Sequence, residues 1–127
     1  MAKITIQQKP TFTTDVEIPR IGEKPVKVPF TFAYLNRDQL AEFGDGEVTH
    51  GKDLSETLNK GDATVRDITT SVSDFEFNQL KMIIKGWGFD DEFNDENLRA
   101  LVRSASAVPA AILTAYKTAY HKAREGN

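Results

Sequence analysis

The sequence predicts an α+β fold in which strands come first and helices follow. Apolar and polar residues alternate over the first third of the 127 residues, whereas apolar residues recur every three or four positions over the last third. Stretches that contain Gly and Pro separate these segments. The length suits a single domain over residues 1–127. Within it we expect strands over 1–35, a short helix and an irregular segment over 36–70, and helices over 73–124.

The N-terminal strands are predicted to form an antiparallel hairpin. In TFTTDVEI the apolar residues at 12, 16 and 18 share one parity, and in VKVPFTFAY those at 26, 28, 30, 32 and 34 do the same. Such alternation is typical of strands with one buried face. The loop PRIGEKP joins the two strands. Because Pro29 has no N–H to donate, we expect a free strand edge there. The alternation of Ile4 and Ile6 allows a third short strand.

The middle of the chain predicts less regular structure. Asn36 is a suitable N-cap for a short helix in RDQLAEF, which we expect Gly44 and Gly46 to end. The residues that follow combine dispersed apolar positions with further glycines. We therefore expect an irregular segment as far as residue 70, with one or two helical turns near 53–59.

Three helices are predicted in the last third. The first begins at the capping-box pattern SDFE, residues 73–76, and ends at one of the two glycines beside Trp87, which falls on its apolar stripe. Asn94 caps the second helix. The third has Pro109 in its first turn and repeats apolar side chains every four residues from Val108 to Tyr120.

Composition and motifs argue against several classes of function. The net charge of −3 argues against a nucleic-acid-binding protein, which needs a basic face. The chain has no Cys, so disulfides and thiolate chemistry are excluded. No apolar stretch approaches the roughly 20 residues of a membrane span and no signal-peptide pattern is present, so we expect a cytoplasmic protein. Because common catalytic motifs are missing, we predict no enzyme, no cofactor and no metal.

The stretch KGWGFDDEFNDEN holds the only Trp of the chain and five acidic residues between positions 90 and 96. Counted as a calcium loop from Asp90, it has Asp95 where an EF-hand requires Gly. We interpret the stretch as a corner between two helices, with the acids favoured by the positive ends of the helix dipoles. Trp87 and Phe89 would anchor the corner by burial. A loose divalent-cation site stays open as an alternative.

Three stretches resemble the phage tail assembly chaperone family: VPFTFAYLNRDQLAEF, IIKGWGFDDEFNDENL and VPAAILTAYKTAY. The second is the most specific. The resemblance implies a protein without enzymatic activity that binds the tape measure protein and keeps it soluble. It also implies that the protein helps to recruit major tail protein subunits in the host cytoplasm and is absent from the mature virion.

We expect partner binding on an apolar surface formed by Trp87, Phe89 and Phe93, with Tyr116 and Tyr120 behind it. Simple core packing is the alternative for the helical face that carries the two tyrosines. The free strand edge also allows self-association. Two other functions stay open: a structural tail or head–tail connector subunit that remains in the virion, and an enzyme or metal protein.

Overall fold

A computed structural model describes Ile4, Ile6 and residues 10–124 of the chain. The elements in chain order are β1 (Thr11–Arg20), β2 (Glu23–Ala33), α1 (Arg37–Asn59), α2 (Val65–Ile83), β3 (Ile84–Trp87), α3 (Asp95–Ser104) and α4 (Ala107–Arg124). The strands form one antiparallel sheet in the order β1-β2-β3. The predicted α+β fold, with a hairpin followed by helices, is confirmed.

The hairpin pairs β1 with β2 from Thr11↔Ala33 to Arg20↔Glu23. Gly22, with φ +71°, provides the left-handed residue of the connecting turn. The predicted parity is confirmed for five residues of the apolar face, which are buried: Val16, Ile18, Val28, Phe30 and Phe32. Of the other residues predicted on that face, Phe12 and Tyr34 are half-buried, and Val26, near the turn, is 41% exposed. The opposite face carries polar side chains such as those of Thr13 and Thr31. The sheet therefore has one face in the core and one in water.

The third strand lies where the end of a helix was predicted. Helix α2 ends at Ile83, and Ile84 already has extended backbone angles. The β2–β3 pairs are Phe30↔Trp87, Thr31↔Gly86 and Phe32↔Ile84, so β3 carries one extra residue between the last two pairs. Such a bulge redirects side chains, and here it places both Ile84 and Trp87 beside the apolar face. The placement of Trp87 on a helical stripe was wrong because pairing with β2 overrides the helical period.

The other strand predictions need two corrections. Ile4 and Ile6 are each 99% exposed and neither lies in a strand; the remainder of that stretch falls outside the described residues. The edge at Pro29 is partly covered, because the Gly88 N–H donates to the Pro29 carbonyl oxygen at 2.8 Å. Beyond β1, the described residues provide no strand partner for residues 23–28 of β2.

Position 88 needs a glycine because its backbone lies too close to Pro29 for a side chain. A Cβ atom on Gly88 would lie 2.5 Å from Cγ and 2.7 Å from Cδ of the Pro29 ring, which cannot swing away. We expect Gly88→Ala to lower the free energy of unfolding by about 1–3 kcal/mol through overpacking. Gly86→Ala is the matched control, since its Cβ would meet only the Thr31 Cβ, at 3.9 Å. Urea denaturation of both variants checks this, and equal losses would contradict it.

The middle of the chain is helical except for the turn between α1 and α2, so the irregular segment predicted between the short helix and residue 70 is wrong. Asn36 caps α1 as predicted and forms a reciprocal capping box with Gln39, with both bonds at 2.9 Å. The helix then continues through three glycines to Asn59. Glycine costs about 1 kcal/mol in a helix relative to Ala but does not forbid it. The glycines at 44 and 46 therefore weaken α1 without ending it.

Helix α2 begins eight residues before the predicted start at Ser73. A capping box between Thr64 and Asp67, with bonds of 3.1 and 3.0 Å, sets its first turn. Gly61, with φ +76°, lies in the turn that separates α1 from α2. Ser73 and Glu76 therefore lie inside α2, although their spacing resembles a cap.

The core lies between the apolar face of the sheet and helices α2, α3 and α4. These helices contribute Leu80, Ile83, Leu98, Val102, Val108, Ile112 and Tyr116, each at most 4% exposed. Asn94 caps α3 through its side-chain oxygen, and Pro109 lies in the first turn of α4, as predicted. Of the residues of α1, which are all described, only Phe43 is buried. Most of α1 therefore lies outside the core.

Candidate protein-binding site

Trp87, Phe89 and Phe93 form one aromatic cluster, here named the Trp87 cluster. Trp87 ends β3, and the two phenylalanines lie in the loop that leads to α3. Both phenylalanine rings meet the Trp87 ring edge to face, at centroid distances of 5.2 Å for Phe89 and 5.0 Å for Phe93. All three side chains are half-buried. The structure thus brings together three of the predicted binding residues and leaves part of each accessible.

Hydrogen bonds hold the loop that carries this cluster. The Trp87 Nε1–H donates to the Asp91 carbonyl oxygen at 2.8 Å, and the Asn97 side chain donates to the Glu92 carbonyl oxygen at 2.7 Å. Asn94 accepts from the Asn97 backbone N–H at 2.8 Å. These contacts fix the backbone on both sides of Phe93, so the aromatic rings are presented by an ordered loop.

The acidic stretch joins a strand to a helix, so its interpretation as a corner between two helices was wrong. Asp95 and Glu96 lie in the first turn of α3, where the helix dipole favours acids, as predicted. Asp90, Asp91 and Glu92 are exposed and lie outside any helix. In the described part of the chain, no group of three or more His, Asp or Glu side chains could hold a metal ion.

Tyr116 and Tyr120 lie on α4 and differ in exposure. Tyr116 is 3% exposed and donates to the Ala33 carbonyl oxygen at 3.2 Å. Tyr120 is half-buried and donates to the Leu35 carbonyl oxygen at 2.7 Å. Its ring stacks on Tyr34, with centroids 4.9 Å apart. Tyr116 is therefore a core residue, whereas Tyr120 reaches the surface.

Two buried rings connect the Trp87 cluster to the tyrosines. Phe30 contacts Trp87 at 6.2 Å and Phe32 at 5.7 Å, and Phe32 contacts Tyr116 at 5.1 Å, all between ring centroids. The predicted site residues thus lie at the two ends of one aromatic row, not on one surface. We did not predict from the sequence that Phe30 and Phe32 connect the Trp87 cluster to the tyrosines. Their shared parity on β2, already visible in the sequence, is the signal that could have found it.

The tyrosine end of the row opens into a pocket of about 1050 Å³. Its wall includes the apolar parts of Tyr34, Leu35, Leu40, Met82 and Tyr120. Its lining also includes polar side chains from the start of α1 and Lys85 of β3. Both ends of the aromatic row therefore reach a surface that a partner could contact.

The model of the family described as phage tail assembly chaperone matches residues 1–127. The chain belongs to the phage tail assembly chaperone family. The resemblance inferred from the three sequence stretches is confirmed over the whole chain. Searches of the curated proteins and of the solved structures gave no match. Membership of this family indicates a role in phage tail assembly that involves binding tail proteins.

Over the described residues, no single helix has the length and apolar content to cross a membrane. Among the described helices, α3 and α4 reach that length and composition only as a pair, and they are bent by 110° relative to each other. Each helix places part of its apolar face in the core: Leu98 and Val102 of α3, and Val108, Ile112 and Tyr116 of α4.

The chaperone is expected to lose stability at alkaline pH through Tyr116. Burial, and secondarily the nearby Tyr120, raises the pKa of the Tyr116 phenol above its usual value. The folded state thus favours the neutral phenol. The resulting contribution to the free energy of unfolding is complete below the unfolded-state pKa of about 10 and is lost as the pH rises above that value. We expect the free energy of unfolding to fall above about pH 10.

Urea denaturation between pH 8 and 11 measures this dependence. Tyr116→Phe should flatten the decline, at a cost of about 1 kcal/mol at pH 8 for the lost hydrogen bond to Ala33. Tyr34→Phe leaves the Tyr116 hydroxyl in place and removes only the smallest contribution to its raised pKa, so its stability should decline nearly as that of the wild type does. A Tyr116→Phe variant as pH-sensitive as the wild type would rule out this phenol as the source.

Proposed function

We propose that this chaperone binds the tape measure protein in the host cytoplasm, keeps it soluble and helps to recruit major tail protein subunits to it. The observation that carries the proposal is the Trp87 cluster, three half-exposed aromatic rings on an ordered loop. Family membership supports the class of function. On this proposal the chaperone has no catalytic role and leaves before the virion is complete.

The chemistry of the cluster suits a helical apolar client. Large aromatic side chains that are partly exposed and firmly positioned are the residues that most often dominate binding at protein interfaces. A client helix would lay its apolar side chains against Trp87 and Phe93. The exposed acids at 90–92 lie beside the rings and keep the region hydrated when no client is bound. The chaperone can thus offer apolar contacts and still remain in solution.

Co-expression of the chaperone with the tape measure protein of the same genome tests the proposal. We expect the tape measure protein to become soluble and to co-purify with the tagged chaperone. Expression of the tape measure protein alone is the control and should leave it insoluble. If the tape measure protein stays insoluble and none co-purifies with the chaperone, this function is rejected.

The role of the cluster is tested by Trp87→Ala. We expect at least a tenfold loss of affinity for the tape measure protein, because truncation of a central aromatic residue typically costs 2 kcal/mol or more. Affinity is measured by biolayer interferometry on the folded fraction, which circular dichroism quantifies. Tyr116→Phe, a change inside the core, is the control and should keep the affinity. Unchanged affinity of folded Trp87→Ala would assign the cluster to the core alone.

A structural subunit that remains in the virion is the second candidate. It is favoured by residues 23–28 of β2, which leave a strand edge open for pairing with another subunit or another copy. Quantitative mass spectrometry of purified virions separates the two functions. A chaperone should be absent or present in traces, whereas a structural subunit should be present in a fixed ratio to the major tail protein.

A further inference from the structure

A second surface, a groove, lies between α1 and α2. The Trp87 cluster lies on a different part of the chain, the end of β3 and the loop between β3 and α3. The two helices run antiparallel: Phe43 and Met82 line one end of the groove, His50 stacks on Phe75 at 4.1 Å in its middle, and Asp53 lies towards the turn. The groove has a volume of about 640 Å³. Its α1 wall, from residue 42 to residue 53, extends about 16 Å at the helical rise of 1.5 Å per residue.

The charged side chains that line this groove are acidic. Its lining includes the carboxylates of Glu42, Asp45, Asp53 and Asp74 and contains no Lys or Arg. Asp74 forms a salt bridge with Arg99 at 3.0 Å. In the described part of the chain no salt bridge neutralises the other three acids. His50 is the remaining titratable group in the lining. The groove therefore attracts cations, and its Phe43, Phe75 and Met82 side chains attract apolar groups.

Gln79 provides an independent sign of a missing partner. Its side chain lines the groove, the residue is only 7% exposed, and its Nε2 is buried without a hydrogen-bond partner among the described residues. A buried amide N–H without an acceptor is costly, and most such groups in folded proteins are paired. Rotation of the Gln79 side chain towards the groove would let the amide donate to an acceptor oxygen of a bound partner.

We propose that the groove binds a basic amphipathic helix of a partner protein, about three turns long. The apolar face of the helix packs on Phe43, Phe75 and Met82, and Lys or Arg side chains on both flanks reach the carboxylates of the two walls. A side-chain amide or last-turn carbonyl oxygen of the helix accepts from Gln79. A third helix laid between two others buries its apolar stripe in the manner common to helix-in-groove recognition.

The charge and the geometry favour this occupant over other ligands. Phosphates and nucleic acids are repelled by the carboxylates. A divalent ion needs several carboxylates at one point, and no such group of three exists among the described residues. The proposal concerns a surface separate from the Trp87 cluster and does not depend on the identity of the client proposed above.

Fluorescence anisotropy with labelled synthetic peptides tests the groove on the whole chain. The probe is a 14-residue amphipathic helix with Leu on one face and Lys on both flanks, and its control has Glu in place of Lys. We expect the Lys peptide to bind at least tenfold more tightly. The double variant Asp45→Asn/Asp53→Asn should weaken its binding at least fivefold. Asp15→Asn/Glu17→Gln, which removes the same charge from the exposed face of β1, should change binding less than twofold.

A Gln79→Met variant separates recognition from folding. It keeps the approximate volume of the side chain and removes the unpaired amide, so the melting temperature should rise while the affinity for the Lys peptide falls at least threefold. Circular dichroism confirms that each variant is folded. Equal losses in the two double variants would overturn the proposal, because they indicate only a general attraction to an acidic protein. Self-association of the chain that Asp45→Asn/Asp53→Asn abolishes would also overturn it, since a second copy would then fill the groove.

Discussion

Replacement of Phe32 by Ala is expected to lower the free energy of unfolding by about 3–5 kcal/mol, the range for truncation of a buried aromatic residue. Phe32 is 0% exposed, and its ring contacts Phe30, Phe12 and Tyr116 at centroid distances of 5.1–5.8 Å. No neighbouring element is free to fill the cavity, because Phe32 lies on the central strand. Since a domain of this size is stable by about 5–15 kcal/mol, the loss would bring the variant close to unfolding.

Chemical denaturation monitored by circular dichroism measures this effect. Phe75→Ala removes the same atoms from a half-buried site whose ring contact is with His50, and it should cost less than half as much. If the two variants lose equal stability, Phe32 does not lie at the centre of the core. Such an outcome would also weaken the aromatic row as the connection between the Trp87 cluster and the tyrosines.

The parts of the fold that follow from the sequence are those fixed by local rules. Parity alone assigned the buried face of β1 and β2, because successive side chains of a strand point to opposite faces. Asn36 and Asn94 were recognised as caps because a side-chain oxygen satisfies backbone N–H groups wherever a helix starts. These interactions connect residues close in the chain, so no knowledge of the tertiary structure is needed.

Strand β3 shows why other parts could not be predicted. Leu80, Ile84 and Trp87 fit the period of a helix. Residues 84–87 form a strand only because Ile84 and Trp87 align with β2. This pairing joins residues more than fifty positions apart, and nothing in the local pattern reports it. The bulge hides the strand further, because Ile84 and Trp87 differ in parity although both lie beside the apolar face.

The five candidate residues were expected on and behind one surface, whereas the structure divides them between the two ends of the aromatic row. Trp87, Phe89 and Phe93 come together because they are near in sequence and one loop carries them. Tyr116 was expected behind this surface, but it lies in the core with its hydroxyl bonded to Ala33. A four-residue repeat on a helix identifies an apolar face without stating how deeply each position is buried. Depth depends on the packing of α4 against the hairpin.

Helix α1 is expected to gain stability when its glycines are replaced. In Gly44→Ala/Gly46→Ala/Gly51→Ala, each new Cβ would meet no atom within 4 Å. Alanine at such sites favours the helix and restricts the unfolded chain, so each change should contribute about 0.4–1 kcal/mol. We expect the triple variant to raise the free energy of unfolding by about 2 kcal/mol. Urea denaturation checks the gain, and the helical signal in circular dichroism should not decrease.

Gly61→Ala is the matched control for the triple variant, because it makes the same substitution with equal space around the Cβ. Its φ of +76° is costly for a residue with a side chain, so it should lower stability by about 1–2 kcal/mol. A gain in the free energy of unfolding for the triple variant and a loss for Gly61→Ala would establish that α1 is continuous through its glycines and ends before the turn at Gly61. A loss in the triple variant would instead favour the interrupted segment that the glycines first suggested. Because α1 buries only Phe43, its stability depends on helix propensity more than on packing, and that makes these glycines the decisive positions.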